Sequence, residues 1–297
     1  MTAETQTESF VRSIPRAYRV AIALSSVLMA VMYWNPLQQM YINYLLTDSY
    51  YSHGFLIPPI SLYIAWTMRR ELAQATQRSD PAGYALLALG AFLLLMGDFL
   101  GFMVFQHLSL LPMLIGLSLL LLGRQHTAIL WFPLVFLLMM IPLPSSLTQS
   151  IALNLKLFAA ESAVLIAKAM TLPMVREGSF IYFKDDFLLV GEVCGGLRSL
   201  IALFSIGMLM AYYSKSRPWA RCLIIALSGP IAIAANVFRI LLLCVVGYFW
   251  GSEVATGRFH DFSGLLIFAF AFVLFFALEA ALRRAAPPKK LTEAISP

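Results

Sequence analysis

The residues best suited to chemistry lie in the stretch GEVCGGLRSL, residues 191–200. It ends a polar segment and precedes a long apolar run, so Cys194 is expected just before the N-terminus of a helix that enters a membrane. Unpaired backbone N–H groups and the positive end of the helix dipole both favour a thiolate there. Gly195 and Gly196 leave room beside the sulfur for another backbone. Arg198, four residues after the cysteine, returns to the same helix face.

Two further residues complete a set that could transfer acyl groups. Arg239 lies inside an apolar run, where a charge is costly and points to function, and Asn236 shares its helix face. His260, in GRFHDFSG, precedes the last apolar run. A thiolate can attack a carbonyl, an imidazole can move the proton, and a guanidinium can stabilise the oxyanion. The separations between the three residues are not in themselves a specific motif.

The composition sets the elements that must position these residues. Of the 297 residues, 60% are hydrophobic and 12% are charged, whereas about a quarter of a soluble domain is charged. Apolar runs of about 17–25 residues indicate helices rather than a barrel. Three cysteines without CxxC or Cys/His spacing indicate no disulfide framework, and we expect no metal and no cofactor. The expected class is an all-α polytopic membrane protein.

About eight transmembrane helices are predicted, at 18–35, 54–68, 83–104, 108–122, 127–143, 196–213, 218–250 and 262–282. The 218–250 run exceeds the length of about 20 residues that one straight span needs. A break is therefore expected at Gly229-Pro230, or else a tilted helix or a water-filled vestibule. The helices form a single transmembrane domain, 18–284, between an N-terminal tail, 1–17, and a C-terminal tail, 285–297.

Residues 144–194 are the one sizeable segment between spans. A helix over 147–171 is expected to lie on the membrane or dip into it, because it carries Lys156, Glu161 and Lys168. Residues 174–193 alternate partly and contain a Lys184-Asp185-Asp186 turn, which predicts a small β-hairpin. The segment is thus a helix and β-hairpin insertion before the cysteine helix.

The basic residues indicate the orientation. The net charge of +6 could suggest a nucleic-acid partner, but its placement is a topology signal and we expect no nucleic acid. By the positive-inside rule both termini are cytoplasmic and 144–194 is extracytoplasmic. Fourteen of the 21 basic residues fall on the cytoplasmic side, namely Arg12, Arg16, Arg19, Arg69, Arg70, Arg78, Arg124, Lys215, Arg217, Arg221, Arg283, Arg284, Lys289 and Lys290.

More than one histidine could be the base. His260, His53 and His107 are all expected on the outer side with Cys194, whereas His126 is on the cytoplasmic side and is excluded. The alternative for His260 is a surface histidine with no catalytic role.

The remaining polar and thiol groups could also have structural rather than catalytic roles. Arg239 could be a structural cation neutralised by Asp98 or by backbone carbonyls. Asp98 and Glu192 are weaker candidates that could orient the histidine or pair with an arginine. Cys222 and Cys244 lie within apolar runs, where a cysteine is usually an inert small hydrophobe.

The chain resembles the exosortase/archaeosortase family of membrane cysteine transpeptidases over nearly its whole length. The resemblance rests on YSHGFLIPPISLYIAW followed by RR, on MMIPLP, on VGEVCGGLRSL, on PIAIAANVFRI, and on His260 ahead of the final helix. The family motif usually has alanine or serine after the cysteine. Gly195 stands at that variable position here, a mild departure.

The resemblance implies a catalytic set of Cys194, Arg239 and His260 in a protease or transpeptidase of the cell inner membrane. Its partners would be exported proteins with a C-terminal signal of a short motif, a transmembrane helix and a basic tail, and that motif is typically Pro-Glu-Pro in Gram-negative members. A Cys194 thioester would form, and its product would be transferred or released, with the acceptor nucleophile left open. Binding or supporting roles are expected for Arg198, Asn236, His53, Asp98 and Glu192.

Two other classes of function compete with this interpretation. A membrane transporter or export subunit could line a solute path with Arg239 and Asp98. An assembly partner with a degenerate site is disfavoured, because all three candidate residues are present. Replacing Cys194 distinguishes an enzyme from a carrier, since a carrier usually tolerates the loss of one surface thiol.

Overall fold

The computed structural model describes residues 16–46, 49–184, 186–191 and 196–285. The chain divides into two compact units, Met1–Pro144 and Ser145–Pro297. Helices build both units, and a small antiparallel sheet belongs to the second. The predicted class, an all-α polytopic membrane protein with a small β insertion, is confirmed.

The first unit begins with two helices that meet at a bend of 60°, α1 (Arg16–Met32) and α2 (Trp34–Leu45). A 3-10 turn, Ser52–Leu56, leads into α3 (Ile57–Thr67) and α4 (Arg69–Gln74). The longest helices of the unit are α5 (Ala82–Leu100) and α6 (Met103–Leu121). They are followed by α7 (Arg124–Ile129), α8 (Trp131–Phe136) and a second 3-10 turn, Leu137–Met140.

Glycines let α5 and α6 pack closely as a hairpin. Gly83, Gly90 and Gly97 recur every seven residues on α5 and are buried. A Cβ added at Gly83 would collide with the backbone oxygen of Gly116 on α6. Small residues at such a seam allow two backbones to approach, which is how helices associate in a solvent that is itself apolar.

The second unit consists of α9 (Ser145–Ala169), the strands β1 (Met174–Glu177), β2 (Phe180–Phe183) and β3 (Asp186–Leu189), and four further helices. These are α10 (Leu197–Tyr213), α11 (Pro218–Trp250), α12 (Ser252–Thr256) and α13 (Arg258–Ala285). Buried alanines of α9, the inner face of the sheet and the C-terminal half of α11 share one apolar core.

The predicted β-hairpin is a three-stranded antiparallel sheet in the order β1-β2-β3. Gly178, with a φ of 60°, lies in the first turn, and Lys184, with a φ of 51°, begins the second. The third strand forms because the alternation of apolar residues continues beyond the second turn. Leu188 and Val190 thereby join Ile181 in the core.

The predicted break at Gly229-Pro230 is wrong, because α11 is one helix of 33 residues with Pro230 inside it. Proline removes one backbone hydrogen bond and tends to kink a helix, but membrane helices tolerate it because neighbouring groups satisfy the freed carbonyl. A helix of this length spans about 50 Å, compared with about 30 Å for the hydrocarbon core of a bilayer. One end can therefore project well beyond the membrane.

The expected count of about eight spans is too high. Among the described residues, five helices are long and apolar enough to cross a membrane, and the count is six if the bent pair α1–α2 forms one span. The predicted spans at 54–68 and 127–143 are divided into shorter helices, and α10 has only 17 residues. By contrast, α9 has 25 residues and meets the length for a span, so its predicted position on the membrane surface stays a prediction.

Candidate active site

Arg239 of α11 and His260 of α13 form the polar centre of the second unit. Arg239 is only 8% exposed, and its Nη2 lies 3.3 Å from His260 Nε2 and 3.4 Å from the His260 carbonyl oxygen. Arg239 Nε donates to Ser263 Oγ at 3.0 Å, and that hydroxyl donates to the His260 carbonyl at 2.6 Å. The three residues thus close a ring of hydrogen bonds that fixes the guanidinium beside the imidazole.

This contact determines the protonation state of the ring. A guanidinium carries only donors and stays charged, so the nitrogen that faces it must accept. His260 Nε2 is therefore unprotonated, and a neutral ring carries its proton on Nδ1. The Asp261 carboxylate oxygen lies 3.7 Å from that Nδ1, and the Asp261 side chain is 91% exposed. The neutral ring could act as a base once another acceptor takes the place of Nε2 at Arg239.

Asn236 connects this centre to the start of the cysteine helix. It is 3% exposed and lies one turn before Arg239 on α11. A Cβ added at Gly196, which has a φ of 79°, would collide with the Asn236 side-chain amide. Only glycine permits both that backbone conformation and that approach. Asn236 Oδ1 is shielded from solvent and accepts no hydrogen bond within the described part of the chain.

A cavity of about 230 Å³ opens beside His260. Its walls are mostly apolar and come from β3, α11 and α12, with His260 as the ionisable group, and its lining residues are Leu188, Leu189, Val190, Gly191, Ile240, Leu243, Thr256 and His260. The space could hold an apolar side chain of a bound peptide next to the imidazole. Gly191 is the last residue described before the cysteine, and Gly196 is the first described after it.

The sheet is fastened to the end of α11 by two polar contacts. Lys184 Nζ donates to the Tyr248 carbonyl at 2.8 Å and lies 4.0 Å from the centre of the Tyr248 ring. The Asp186 carboxylate accepts from the Ser252 backbone N–H and from the Ser252 hydroxyl, each at 2.8 Å. Those two bonds, followed by one from the Phe187 N–H, hold the pKa of Asp186 below its usual value. The sheet edge at the cavity is thereby held against α11 and α12.

The packing of the sheet against the end of α11 explains how Arg239 can lie far from the C-terminus of that helix. Eleven residues separate it from Trp250, which is about 16 Å along the helix axis. If the helix ended at the membrane surface, Arg239 would be too deep to meet an exposed cysteine. The last turns of α11 instead pack against the sheet, and Gly247 touches the Phe183 ring. Protein therefore covers this part of the helix.

The structure brings some of the predicted site residues together. Arg239, His260, Asn236 and the start of the cysteine helix meet at one place. Cys194 and Glu192 lie outside the described residues, so their predicted roles stay predictions. Arg198 is half-buried in the first turn of α10. Of the other cysteines, Cys222 is exposed and Cys244 is buried in the core of the second unit.

The remaining candidates belong to the first unit. His53 is half-buried in a 3-10 turn, and burial lowers its pKa, an effect that a hydrogen bond to the Met139 backbone partly offsets. His107 is 5% exposed on α6, and the Asp98 side chain is exposed near the end of α5. Within the described residues, the polar contacts of Arg239 are Ser263 and His260. The pairing of Arg239 with Asp98 stays a prediction. The competition between His53, His107 and His260 as base stays open.

Sequence reasoning missed three features of the site. Ser263 is fully buried and bonds both members of the central pair. The spacing of His260 and Ser263 in HDFS could have revealed it, because residues three apart share a helix face. The apolar cavity and the bond between Asp186 and Ser252 depend on contacts between distant segments and leave no local signal.

Comparison with known proteins gives one match. The family model for a transmembrane exosortase matches residues 45–277. No curated protein and no solved structure matches the chain. The matched range includes every residue of the site described above.

Proposed function

Because this chain belongs to the transmembrane exosortase family and so has a general role in membrane protein sorting and transpeptidation, we propose that it is a membrane cysteine transpeptidase whose nucleophile is Cys194. It would cleave the C-terminal sorting signals of exported proteins through a thioester. The contact between buried Arg239 and half-buried His260 is the observation that carries this proposal. Gly191 lines the same cavity as His260, and Gly196 packs against Asn236, one turn from Arg239.

Chain connectivity supports the assignment of Cys194. Gly196 packs against Asn236, one turn from Arg239, and Gly191 lines the cavity that His260 also lines. Cys194 is two residues from Gly196, and covalent geometry limits the distance between their Cα atoms to about 7 Å. This limit allows the thiol of Cys194 to approach Arg239 and His260, which supports its assignment as the nucleophile.

The proposed chemistry uses the donors and acceptors of Arg239 and His260. When the carbonyl of the substrate enters, its oxygen would replace His260 Nε2 as the acceptor for Arg239, which frees Nε2 to take the thiol proton of Cys194. The sulfur then bonds to the carbonyl carbon, and Arg239 stabilises the oxyanion. Collapse of the intermediate breaks the C–N bond. His260 returns its proton to the leaving amine, and a thioester remains.

The second half of the reaction regenerates the enzyme. An acceptor nucleophile, either an amine or water, would attack the thioester, pass its proton to His260 and release Cys194 as a thiol or thiolate. Transfer and simple release differ only in that nucleophile.

The proposed substrates are exported proteins that end in a short motif, a transmembrane helix and a basic tail, with Pro-Glu-Pro as the expected kind of motif. The substrate helix would lie in the bilayer beside the enzyme, and its motif would reach the site at the extracytoplasmic face of the inner membrane. The cavity beside His260 offers an apolar place for one side chain of that motif. Reporter fusions at residues 170–185 test the orientation, because a cytoplasmic location there would contradict it.

Co-expression with a tagged protein that carries such a signal tests the proposal, with mass analysis of the substrate's new C-terminus as the readout. Cys194→Ala and Cys194→Ser should remain in the membrane and lose processing, since a hydroxyl is far less ionised than a thiol at neutral pH. Cys222→Ala is the matched control, because that thiol is exposed and away from the site, and it should process normally. Full processing by Cys194→Ala would rule out covalent catalysis at this residue and favour the transporter alternative.

A further inference from the structure

A polar cavity of about 470 Å³ lies in the first unit where α5 begins and α6 ends. Its lining residues are Thr76, Arg78, Ser79, Asp80, Pro81, Arg124 and Gln125. Both helices are candidate membrane spans, so the loops at their ends are expected at the membrane–water interface, where lipid phosphates are found. The exosortase chemistry proposed above uses none of these residues.

The two loops that form the cavity are joined to one another. Arg78 and Gly123 form a parallel β-bridge, and Gly123 has a φ of 92°, with Arg78 backbone so near that a Cβ would collide with it. The backbone N–H and the hydroxyl of Thr76 both donate to Gln125 Oε1, at 2.8 and 2.7 Å. The Gln77 side chain donates to the Leu121 carbonyl at 2.9 Å. The cavity is therefore built by specific contacts.

The charges in the cavity are unbalanced. Arg78 and Arg124 are exposed, and neither side chain makes a hydrogen bond or an ion pair within the described residues. The two arginines share the cavity with one carboxylate, Asp80, whose Oδ1 accepts the Ala82 N–H at 2.9 Å, so the lining keeps an excess of positive charge. Because Thr76 occupies Oε1 of Gln125, the Nε2 amide of that residue is left as a donor. Two guanidinium groups and an amide thus present donors around one space.

We propose that this cavity binds a phosphate group, supplied either by the headgroup of an anionic phospholipid or by free phosphate. Arginine binds phosphate oxygens with two parallel N–H donors, and such charge-assisted bonds are among the strong ones. The bridge at Gly123 places Arg78 beside the residue that precedes Arg124, so one phosphate could contact both guanidinium groups. The hydroxyl of Ser79 is a further donor on the cavity wall.

The test uses the purified full-length chain in detergent and native mass spectrometry. The protein is titrated with phosphatidylglycerol, with diacylglycerol of the same acyl chains and without phosphate, and separately with inorganic phosphate. The variants are Arg78→Gln/Arg124→Gln and, as a matched control that removes two basic residues elsewhere, Lys215→Gln/Arg217→Gln.

The wild-type chain should retain phosphatidylglycerol in preference to diacylglycerol, or retain inorganic phosphate. The first result assigns the site to a lipid headgroup and the second to a soluble phosphate. The Arg78/Arg124 variant should lose that retention by about ten-fold or more, because it removes both charge-assisted contacts to the phosphate. The Lys215/Arg217 control should retain the probe as the wild type does.

Equal retention by the wild type and by the Arg78/Arg124 variant, for the lipid and for phosphate alike, would overturn the proposal. So would a wild-type chain that holds phosphatidylglycerol no better than diacylglycerol and does not bind phosphate. If the double variant does not purify as a folded protein, Arg124→Gln alone decides the question. Reduced retention by this single variant supports the site, and unchanged retention contradicts it.

Discussion

At the scale of single residues, the site is governed by the placement of a permanent cation against a histidine. The contact between Arg239 and His260 Nε2 requires a neutral ring, because an imidazolium could not accept from a guanidinium. The resting ring is then a neutral base rather than the imidazolium of a preformed imidazolium–thiolate pair. Ser263 positions the guanidinium and holds the His260 carbonyl. Activity should therefore depend on donor geometry as well as on charge.

Substitutions of the central pair test this dependence in the processing assay. Arg239→Lys should lose about 10²–10³-fold in rate, as removal of an oxyanion donor typically does. Lysine keeps the charge, but it cannot direct separate donors at Ser263 and at the reacting oxygen. His260→Ala should match Cys194→Ala, and the double variant should be no worse, because residues that act as a unit show non-additive losses.

Arg198→Lys is the comparison for the arginine chemistry, and a milder loss is expected because Arg198, in the first turn of α10, is not the proposed oxyanion donor. An active His260→Ala enzyme together with an inactive His53→Ala enzyme would contradict the assignment of the base. The membership of the chain in the exosortase family would be unaffected by that result.

At the scale of elements, the sheet and α11 work as one structure. The inner face of the sheet covers the C-terminal half of α11. Leu188 of the third strand and Val190, just after that strand, line the cavity beside His260. The bonds from Ser252 to Asp186 fix the start of that strand relative to α12. Loosening this contact should loosen one wall of the site while leaving the catalytic residues in place.

The pH dependence of stability tests the role of Asp186. Its hydrogen bonds lower its pKa in the folded protein, so the ionised carboxylate stabilises the fold above the pKa of the unfolded chain, and this stabilisation is lost as the pH falls through the lower, folded value. Asp186→Asn should lower the unfolding temperature at neutral pH by about 2 °C, and the difference from wild type should shrink at acidic pH. Thermal unfolding in detergent across this pH range measures the effect.

Glu177→Gln is the matched control for this measurement, since Glu177 is an exposed carboxylate of β1 in the same sheet. It should leave the pH profile unchanged. A constant difference between Asp186→Asn and wild type at every pH would show that the charge on Asp186 does not stabilise the sheet.

At the scale of the whole molecule, composition was enough to predict a polytopic helical protein, because long apolar runs are the dominant signal of a membrane protein. The number of spans predicted from the apolar runs was too high. The run at 127–143, for example, is divided into shorter helices and a 3-10 turn rather than forming one helix. The break predicted at Pro230 was wrong, since α11 is continuous there. The sequence does not show the neighbouring groups that let the proline stay within the helix.

Part of the candidate site was predictable from the chemistry of its residues. A buried arginine and a histidine ahead of the last helix stand out by their chemistry, and the structure places Arg239 and His260 in contact. Ser263, the apolar cavity and the fastening of the sheet depend on packing between segments that are far apart in sequence. No local pattern of residues encodes such packing.

The most direct measurement is the identification of a covalent intermediate. The purified wild-type chain is mixed with a peptide that carries the sorting motif, quenched in acid and analysed by intact mass and peptide mapping. An added mass equal to the N-terminal part of the peptide is expected on the fragment that contains Cys194, and hydroxylamine should remove it as it removes a thioester. Cys222→Ala should give the same adduct. Peptide cleavage with no adduct at Cys194, or unchanged cleavage by Cys194→Ala, would show that Cys194 is not the nucleophile.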